Sequence, residues 1–324
     1  MIDLNLFEEV KFIYNLDNEM KNCINKIDAK LNCIIITDKQ KRNNLITKSR
    51  VRSIHSSLSI ETNSLSLFDV ENIKDNKQIL GKKDEIQEVK NALILYNDIK
   101  KYDYKNEEDF LKAHQILMKG FEDDNGKYRN HGEGIERNGK IIYQAPDSVL
   151  VPSLMRSLFN LLKSDKINEI VLAALFHYYF VSIHPFTDGN GRMARFWVSL
   201  ILINYNDNFE FIPIEEEIYL NQDKYYESIE KSHNNLNANV FIKFMLETID
   251  SALSKIISNN TFNLNEIQNR IIEAVTNNKY ITQNEIALLL NKNVRTIKRN
   301  FKVLIDNNII ERIGSDKTGY WSVK

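Results

Sequence analysis

The chain reads as mainly α, a helical core carrying one β-hairpin, with a small α+β domain appended at the C-terminus. Three observations predict this. Four prolines and ten glycines in 324 residues leave few breaks, so long helices dominate. Apolar residues recur at spacings of three and four through most of the chain. Only Gly126–Pro146 and the last sixteen residues instead show short extended runs bounded by glycine.

Residues 5–60 alternate apolar positions with Lys and Asn at helical spacing. From Gly81 to Tyr102, Ile86, Val89, Leu93 and Leu95 lie near one helix face, and Glu107–Met118 forms a further helix ended by Gly120. Asn138-Gly139 is a turn signal between extended runs and predicts a hairpin closing with Lys140-Ile141-Ile142-Tyr143. Ser148–Leu162 is helical. Ile167–Ile183 is apolar almost all round, which predicts a buried central helix delivering His184 at its C-terminal end. Met193–Asn204, Pro213–His233 and Asn239–Ile257 add three helices, and the polar run Ser258-Asn259-Asn260-Thr261 reads as a linker. The expected division is 1–75, an N-terminal helical region; 76–257, the core; and 258–324, the appended domain.

Charged residues make up 27% of the chain and hydrophobic ones 43%, with material for a core. The net charge of −1 argues against wholesale electrostatic binding to nucleic acid or anionic membrane. Cys23 and Cys33 alone cannot build a disulfide framework or a cysteine zinc site. The N-terminus lacks a signal-peptide pattern and the longest apolar run contains His177, so a cytoplasmic enzyme without a membrane span is expected.

The segment Ile183–Arg195, I-H-P-F-T-D-G-N-G-R-M-A-R, concentrates groups suited to phosphate chemistry. A Gly-rich turn at a helix start aims N–H groups at an anion. Asp188 can hold a divalent cation through oxygen, and Arg192 and Arg195 can pair with phosphate oxygens from one helix turn. His184 is the one group whose unperturbed pKa suits it to taking a proton near neutrality. Helix capping alone calls for neither two glycines nor two arginines.

These residues match H-x-F-x-(D/E)-G-N-G-R-x-x-R at every specified position, and the chain thereby resembles the Fic family. The resemblance implies a Fic helical fold with a hairpin flap, and transfer of AMP from ATP to a Ser, Thr or Tyr hydroxyl of a protein, the enzyme itself included. It implies that His184 is the base, that Gly189, Asn190, Gly191, Arg192 and Arg195 hold the phosphates, and that Asp188 binds Mg²⁺ (or Mn²⁺). Family members carry a Tyr pair well after the catalytic His; Tyr225-Tyr226 stands there, with Tyr226 near the base and His233 or Asn234 by the ribose. Lys140, Ile141, Ile142 and Tyr143 resemble the flap on which the protein substrate docks by strand addition.

Ser57-Leu58-Ser59-Ile60-Glu61-Thr62 resembles the family's inhibitory pattern (S/T)-x-x-x-E-(G/N). It implies that Glu61 pairs with Arg195 and denies it to the γ-phosphate, while Ser57 bonds Glu61 or its helix. Thr62 departs from the pattern; Thr resists the left-handed conformation, so the helix end is expected to differ.

From Leu264 the pattern resembles a winged helix-turn-helix, with a recognition helix near 293–306 and a wing from Ile309–Ile313 and Tyr320–Val323. Val294, Ile297, Phe301, Leu304 and Ile305 share its apolar face, and Arg295, Lys298, Arg299 and Lys302 the adjacent one. DNA is a partner left open but not favoured over protein docking. The same residues are compatible with a DNA-binding regulator whose Fic domain senses a nucleotide, with an enzyme that also removes AMP, and with transfer of phosphate or another nucleotide. Homo-oligomerisation is open.

Overall fold

The computed structural model describes residues 12–34, 36, 38–121, 123–137, 140–259, 266–306, 309–315 and 319–323. Among these, the helices are α1 (Asn18–Cys33), α2 (Lys39–Ile60), α3 (Leu67–Lys74), α4 (Lys83–Asn97), α5 (Glu107–Leu117), α6 (Val151–Leu162), α7 (Glu169–Ile183), α8 (Asn190–Tyr205), α9 (Ile214–Leu220), α10 (Gln222–Asn234), α11 (Asn239–Asn259), α12 (Glu266–Asn277), α13 (Gln283–Leu289) and α14 (Val294–Asp306). Two antiparallel pairs complete them, β1 (Gly134–Arg137) with β2 (Lys140–Gln144) and β3 (Ile310–Ile313) with β4 (Tyr320–Val323). The chain divides into two compact units, Met1–Cys23 with Asn44–Ala252, and Ile24–Asn43 with Leu253–Lys324. The expected divisions at 75/76 and 257/258 stand as a proposal.

In the first unit α7 is the centre, buried on nearly every face as its all-apolar sequence requires. Asn168 caps its start by accepting from Ile170 N at 2.9 Å. Phe110 of α5 is fully buried and meets the rings of Phe176, Phe180, Phe186 and Trp197, so one aromatic cluster joins α5, α7, α8 and the loop after α7. β1 and β2 pair with a register shift at Ile135/Glu136, and the Asn138-Gly139 turn lies outside the described residues.

Three expectations change. α8 begins at Asn190 rather than Met193, because Gly189 takes φ 80° and lets the helix start at once. Pro213–His233 is two helices: the Asn221 side chain donates to Glu217 O at 3.0 Å and its backbone closes α9, so α10 begins anew. The predicted linker starts later, since Ser258 and Asn259 end α11, while Asn260 and Thr261 lie outside the described residues. α3 carries a capping box between Ser66 and Asp69, a local signal that its hydrophobic pattern alone does not reveal.

α2 ends in a Schellman motif. Asn63 N reaches Leu58 O at 3.1 Å and Thr62 N reaches Ser59 O at 3.0 Å. Thr62 itself takes the left-handed backbone, φ 69°, so the helix end keeps its form despite the β-branched residue. Asn63 explains why: buried, it accepts from Leu65 N and donates to Glu85 O and Glu88 Oε2.

In the second unit, Ile271, Val275, Ile286, Ile297, Phe301, Leu304 and Trp321 form a small core under three helices and the wing. The Thr282–Glu285 capping box starts α13. Arg295, Lys298, Arg299 and Lys302 are exposed on α14. Ile305, expected on the apolar face, is instead 40% exposed, while Leu304 beside it is fully buried.

Left-handed strain at a β-branched residue sets an expectation for Thr62. Thr62→Asn should stabilise the protein by about 0.5–1 kcal/mol, since Asn adopts this backbone more readily. A urea midpoint equal to or below that of the parent contradicts it.

Candidate active site

α7 stops at His184, which takes φ 50° and ψ 60° while its N–H still bonds Phe180 O at 2.9 Å. The left-handed residue swings the chain out of the helix into the loop that leads to α8. Burial holds the His184 imidazole below the usual histidine range, an effect opposed by the Val181 carbonyl and Glu133. The ring is therefore neutral at neutral pH. Its Nδ1 is buried, which leaves Nε2 as the nitrogen for chemistry.

The loop is held from beneath. Phe186 is fully buried and stacks on His114 with centroids 3.6 Å apart. His114 Nδ1 accepts from Gly126 N at 2.8 Å, so Nε2 carries the proton and donates to Asp188 O at 3.0 Å. Asn190 spends both ends of its amide on Phe186, accepting from N at 3.0 Å and donating to O at 2.8 Å. Its side chain thus shapes the loop instead of reaching for phosphate. Gly189 needs its glycine twice, for φ 80° and because a Cβ would strike Met118 Sδ.

No side chain caps α8, so its first N–H groups and the positive end of its dipole remain for an anion. Both motif arginines are nearly buried and engaged. Arg192 donates to Asp188 Oδ2 at 2.7 Å and to Glu88 Oε1 at 2.8 Å. Arg195 donates through Nη2 to Glu61 Oε1 at 2.7 Å and to Ser57 O at 2.9 Å, and through Nε to Ser57 Oγ at 2.9 Å. Ser57, expected on Glu61 or its helix, instead bonds the arginine, because α2 presents Oγ and carbonyl together to the planar guanidinium. A Cβ at Gly191 would run into the Glu61 carboxylate, so only glycine permits this approach.

A cavity of about 430 Å³ opens beside these groups. Glu61, His184, Asn190, Gly191 and Arg195 line it together with Tyr225, Tyr226, His233 and Asn234. Tyr225 is buried and shares a 2.8 Å hydrogen bond with His177, so it is structural, while half-buried Tyr226 borders the space. Tyr143 of β2 donates from its hydroxyl to Ser182 O at 3.0 Å and stacks on His233 at 4.1 Å. Ser182 Oγ donates to Tyr178 O, so His233 Nε2 donates to Ser182, consistent with its pKa pushed by burial down to about 4. The side chains of Lys140, Ile141 and Ile142 lie outside the described residues; the backbones of Lys140 and Ile141 pair with Arg137 and Glu136, and Ile142 falls at the register shift.

Asp188 is the one motif carboxylate and is about half exposed. One carboxylate beside a phosphate site suits Mg²⁺, which keeps waters and shares substrate oxygens. No cluster of three or more His, Cys, Asp or Glu able to hold a metal occurs among the described residues, so a protein-only cage does not fit.

A solved structure of a Fic family protein from Desulfovibrio desulfuricans G20 matches with a TM-score of 0.73 at 30% identity, over 97% of this chain and 98% of that one. The chain belongs to the Fic family. The Fic/DOC family matches residues 104–202, and a winged helix-turn-helix DNA-binding family matches residues 264–311. Relatives include a probable protein adenylyltransferase of Aquifex aeolicus, 30% identical over 45% of this chain and 46% of its own length. Another is protein adenylyltransferase Fic of Culex quinquefasciatus, 26% identical over 63% of this chain and 41% of its own. This Fic chain thus spans less than half the length of both.

The sequence did not point to His114, Glu88 or Arg129. His114 and Glu88 act on the loop from α5 and α4, far away in sequence and without a local pattern. Arg129 is 2% exposed and donates to the carbonyls of His184 at 2.7 Å, His131 at 2.6 Å and Pro146 at 2.6 Å.

Buried neutral histidines should make this Fic chain acid-sensitive. Burial pushes His114 down to about 4 and His177 to about 3. The unfolded chain takes up these protons below about pH 6.5 and the folded chain does not, so stability is lost as pH falls through that window. Each group should cost about 2 kcal/mol at pH 5 relative to neutral pH. Equal urea stabilities at pH 7 and pH 5 would falsify this.

Proposed function

We propose that this chain is a protein adenylyltransferase that moves AMP from ATP to a Ser, Thr or Tyr hydroxyl of a target protein. The observation that carries the reading is the juxtaposition of a neutral His184, an uncapped α8 N-terminus and one cavity bordered by Tyr226. The triphosphate lies on the first turn of α8, with adenosine toward Tyr226, His233 and Asn234. His184 Nε2 takes the proton of the attacking hydroxyl; the new oxygen–phosphorus bond forms at the α-phosphate and the bond to the β-phosphate breaks, releasing pyrophosphate. Asp188 would hold Mg²⁺ or Mn²⁺, which when bound neutralises charge gathering on that leaving group. Arg192 stabilises the outer phosphates. A target segment extends the β2 edge, which sets its hydroxyl near His184.

Glu61 acts as a brake in this proposal. The γ-phosphate needs a guanidinium that Glu61 and Ser57 occupy, so ATP settles in an unproductive pose while α2 is docked. In an enzyme that also removes AMP, the Glu61 carboxylate would orient the attacking water. No helix among the described residues is long and apolar enough to cross a membrane; cytoplasmic residence belongs to the proposal.

Intact-mass measurement after incubation with ATP and Mg²⁺ tests activity and brake together. Glu61→Gly should gain AMP faster than wild type, and His184→Ala in that background should lose about 10²–10⁴-fold in rate. Equal labelling of wild type and Glu61→Gly removes the brake; undiminished labelling of the His184 variant removes the mechanism.

A second reading for the C-terminal unit rests on the exposed row Arg295, Lys298, Arg299 and Lys302 and on the matched family's description. It is contact with duplex phosphates by α14. Four such contacts should weaken binding about 10²-fold between about 50 and 200 mM salt. Fluorescence anisotropy with a labelled duplex reads this, and a flat salt response rejects it.

A further inference from the structure

Arg129 stands just ahead of β1, is almost fully buried, and pairs with no carboxylate among the described residues. Every hydrogen bond its side chain makes goes to a backbone carbonyl. Nε donates to His184 O at 2.7 Å and Nη2 to Ile183 O at 3.3 Å, both at the end of α7. Nη1 donates to His131 O and Nη2 also to Pro146 O, each at 2.6 Å, on the two sides of the hairpin. Its own backbone N–H reaches Pro185 O at 2.8 Å. Burying a guanidinium is costly, and burial does depress its pKa. Three features offset the cost: the nearby charges of Glu133 and Asp147, the negative end of the α7 dipole, and charge-assisted bonds that use the planar fork in several directions.

We propose that Arg129 is a positioning residue that locks the catalytic end of α7 to both roots of the β1–β2 hairpin, so that one side chain sets how far the docked hydroxyl lies from His184. This rests on the adenylyl-transfer reading. Without the fork, the carbonyls of Ile183 and His184 lose their side-chain link to His131 and Pro146, leaving the Arg129 N–H bond to Pro185 O and the Tyr143 bond to Ser182 O. A shift of about 1 Å between acceptor and base costs about 10²-fold in rate. Lysine keeps the charge, but its single ammonium cannot span carbonyls on opposite sides of the helix end. The nucleotide cavity takes most of its walls from Glu61, α7, His184, α8 and α10; Tyr143 of β2 also lines it and keeps its own ties to Ser182 O and His233 when the fork is lost.

The charged groups facing His184 are Glu133 and Glu61, which favour its protonation, and Arg129, which opposes it. That separates the fork from the charge. In the Glu61→Gly background, Arg129→Lys should lower kcat about 10²-fold with the KM for ATP within about threefold of the parent. The His184 ring titration, followed by NMR, should stay in place in Arg129→Lys and move to higher pH in Arg129→Met. Hydrogen exchange at 134–137 and 140–144 should speed up by a factor on the order of 10 in Arg129→Lys, with α8 unchanged. Turnover near the parent's, unaltered hairpin exchange, or faster exchange spread evenly over α6, α7 and α8 overturns the proposal. Should Arg129→Met not fold, Arg129→Lys decides. Should Glu61→Gly show no AMP transfer at all, the adenylyl-transfer reading fails, while exchange and titration still judge the anchor.

Discussion

The left-handed backbone of His184 is the constraint on which the site depends. α7 is too apolar to present a catalytic group anywhere along its length, since nearly all of its side chains are buried. The positive φ at its end turns the chain sharply enough for α8 to begin six residues later. A non-glycine residue in that conformation costs about 1–2 kcal/mol. The surroundings over-determine it: Phe180 O takes the His184 N–H, Arg129 takes its carbonyl, and Phe186 anchors the loop beyond.

The arginines of α8 bring buried charge to the site. Each would be costly to bury alone, and each is matched by carboxylates from other helices. Arg192 meets Glu88 of α4 as well as Asp188, and Arg195 meets Glu61 at the end of α2. Glu88 also accepts from Asn63, the residue that finishes the Schellman motif. The termination of α2 and the charge state of the phosphate site therefore share one hydrogen-bonded network. This gives α2 a physical means of influencing α8 through contacts rather than distance.

The hairpin is tied to the same helix end from two directions. Tyr143 reaches Ser182 O from within β2, and Arg129 reaches the residues flanking the strands. A two-stranded hairpin is marginal by itself, so such ties supply the stability its short ladder lacks.

Sequence by itself determined the helical class, the apolar α7, the motif loop and the winged-helix pattern, because periodicity and glycine placement act locally. Ser57 and Glu61 were legible too, as a short pattern of fixed spacing. Tertiary structure alone decided what those groups do to each other. It put Ser57 on Arg195 rather than Glu61, turned the Asn190 amide onto Phe186, let Thr62 take the left-handed cap, and brought in His114, Glu88 and Arg129. The physical reason is that a hydrogen bond or ion pair between distant segments leaves no periodic trace. Its partners are selected by burial, which only the packed chain defines.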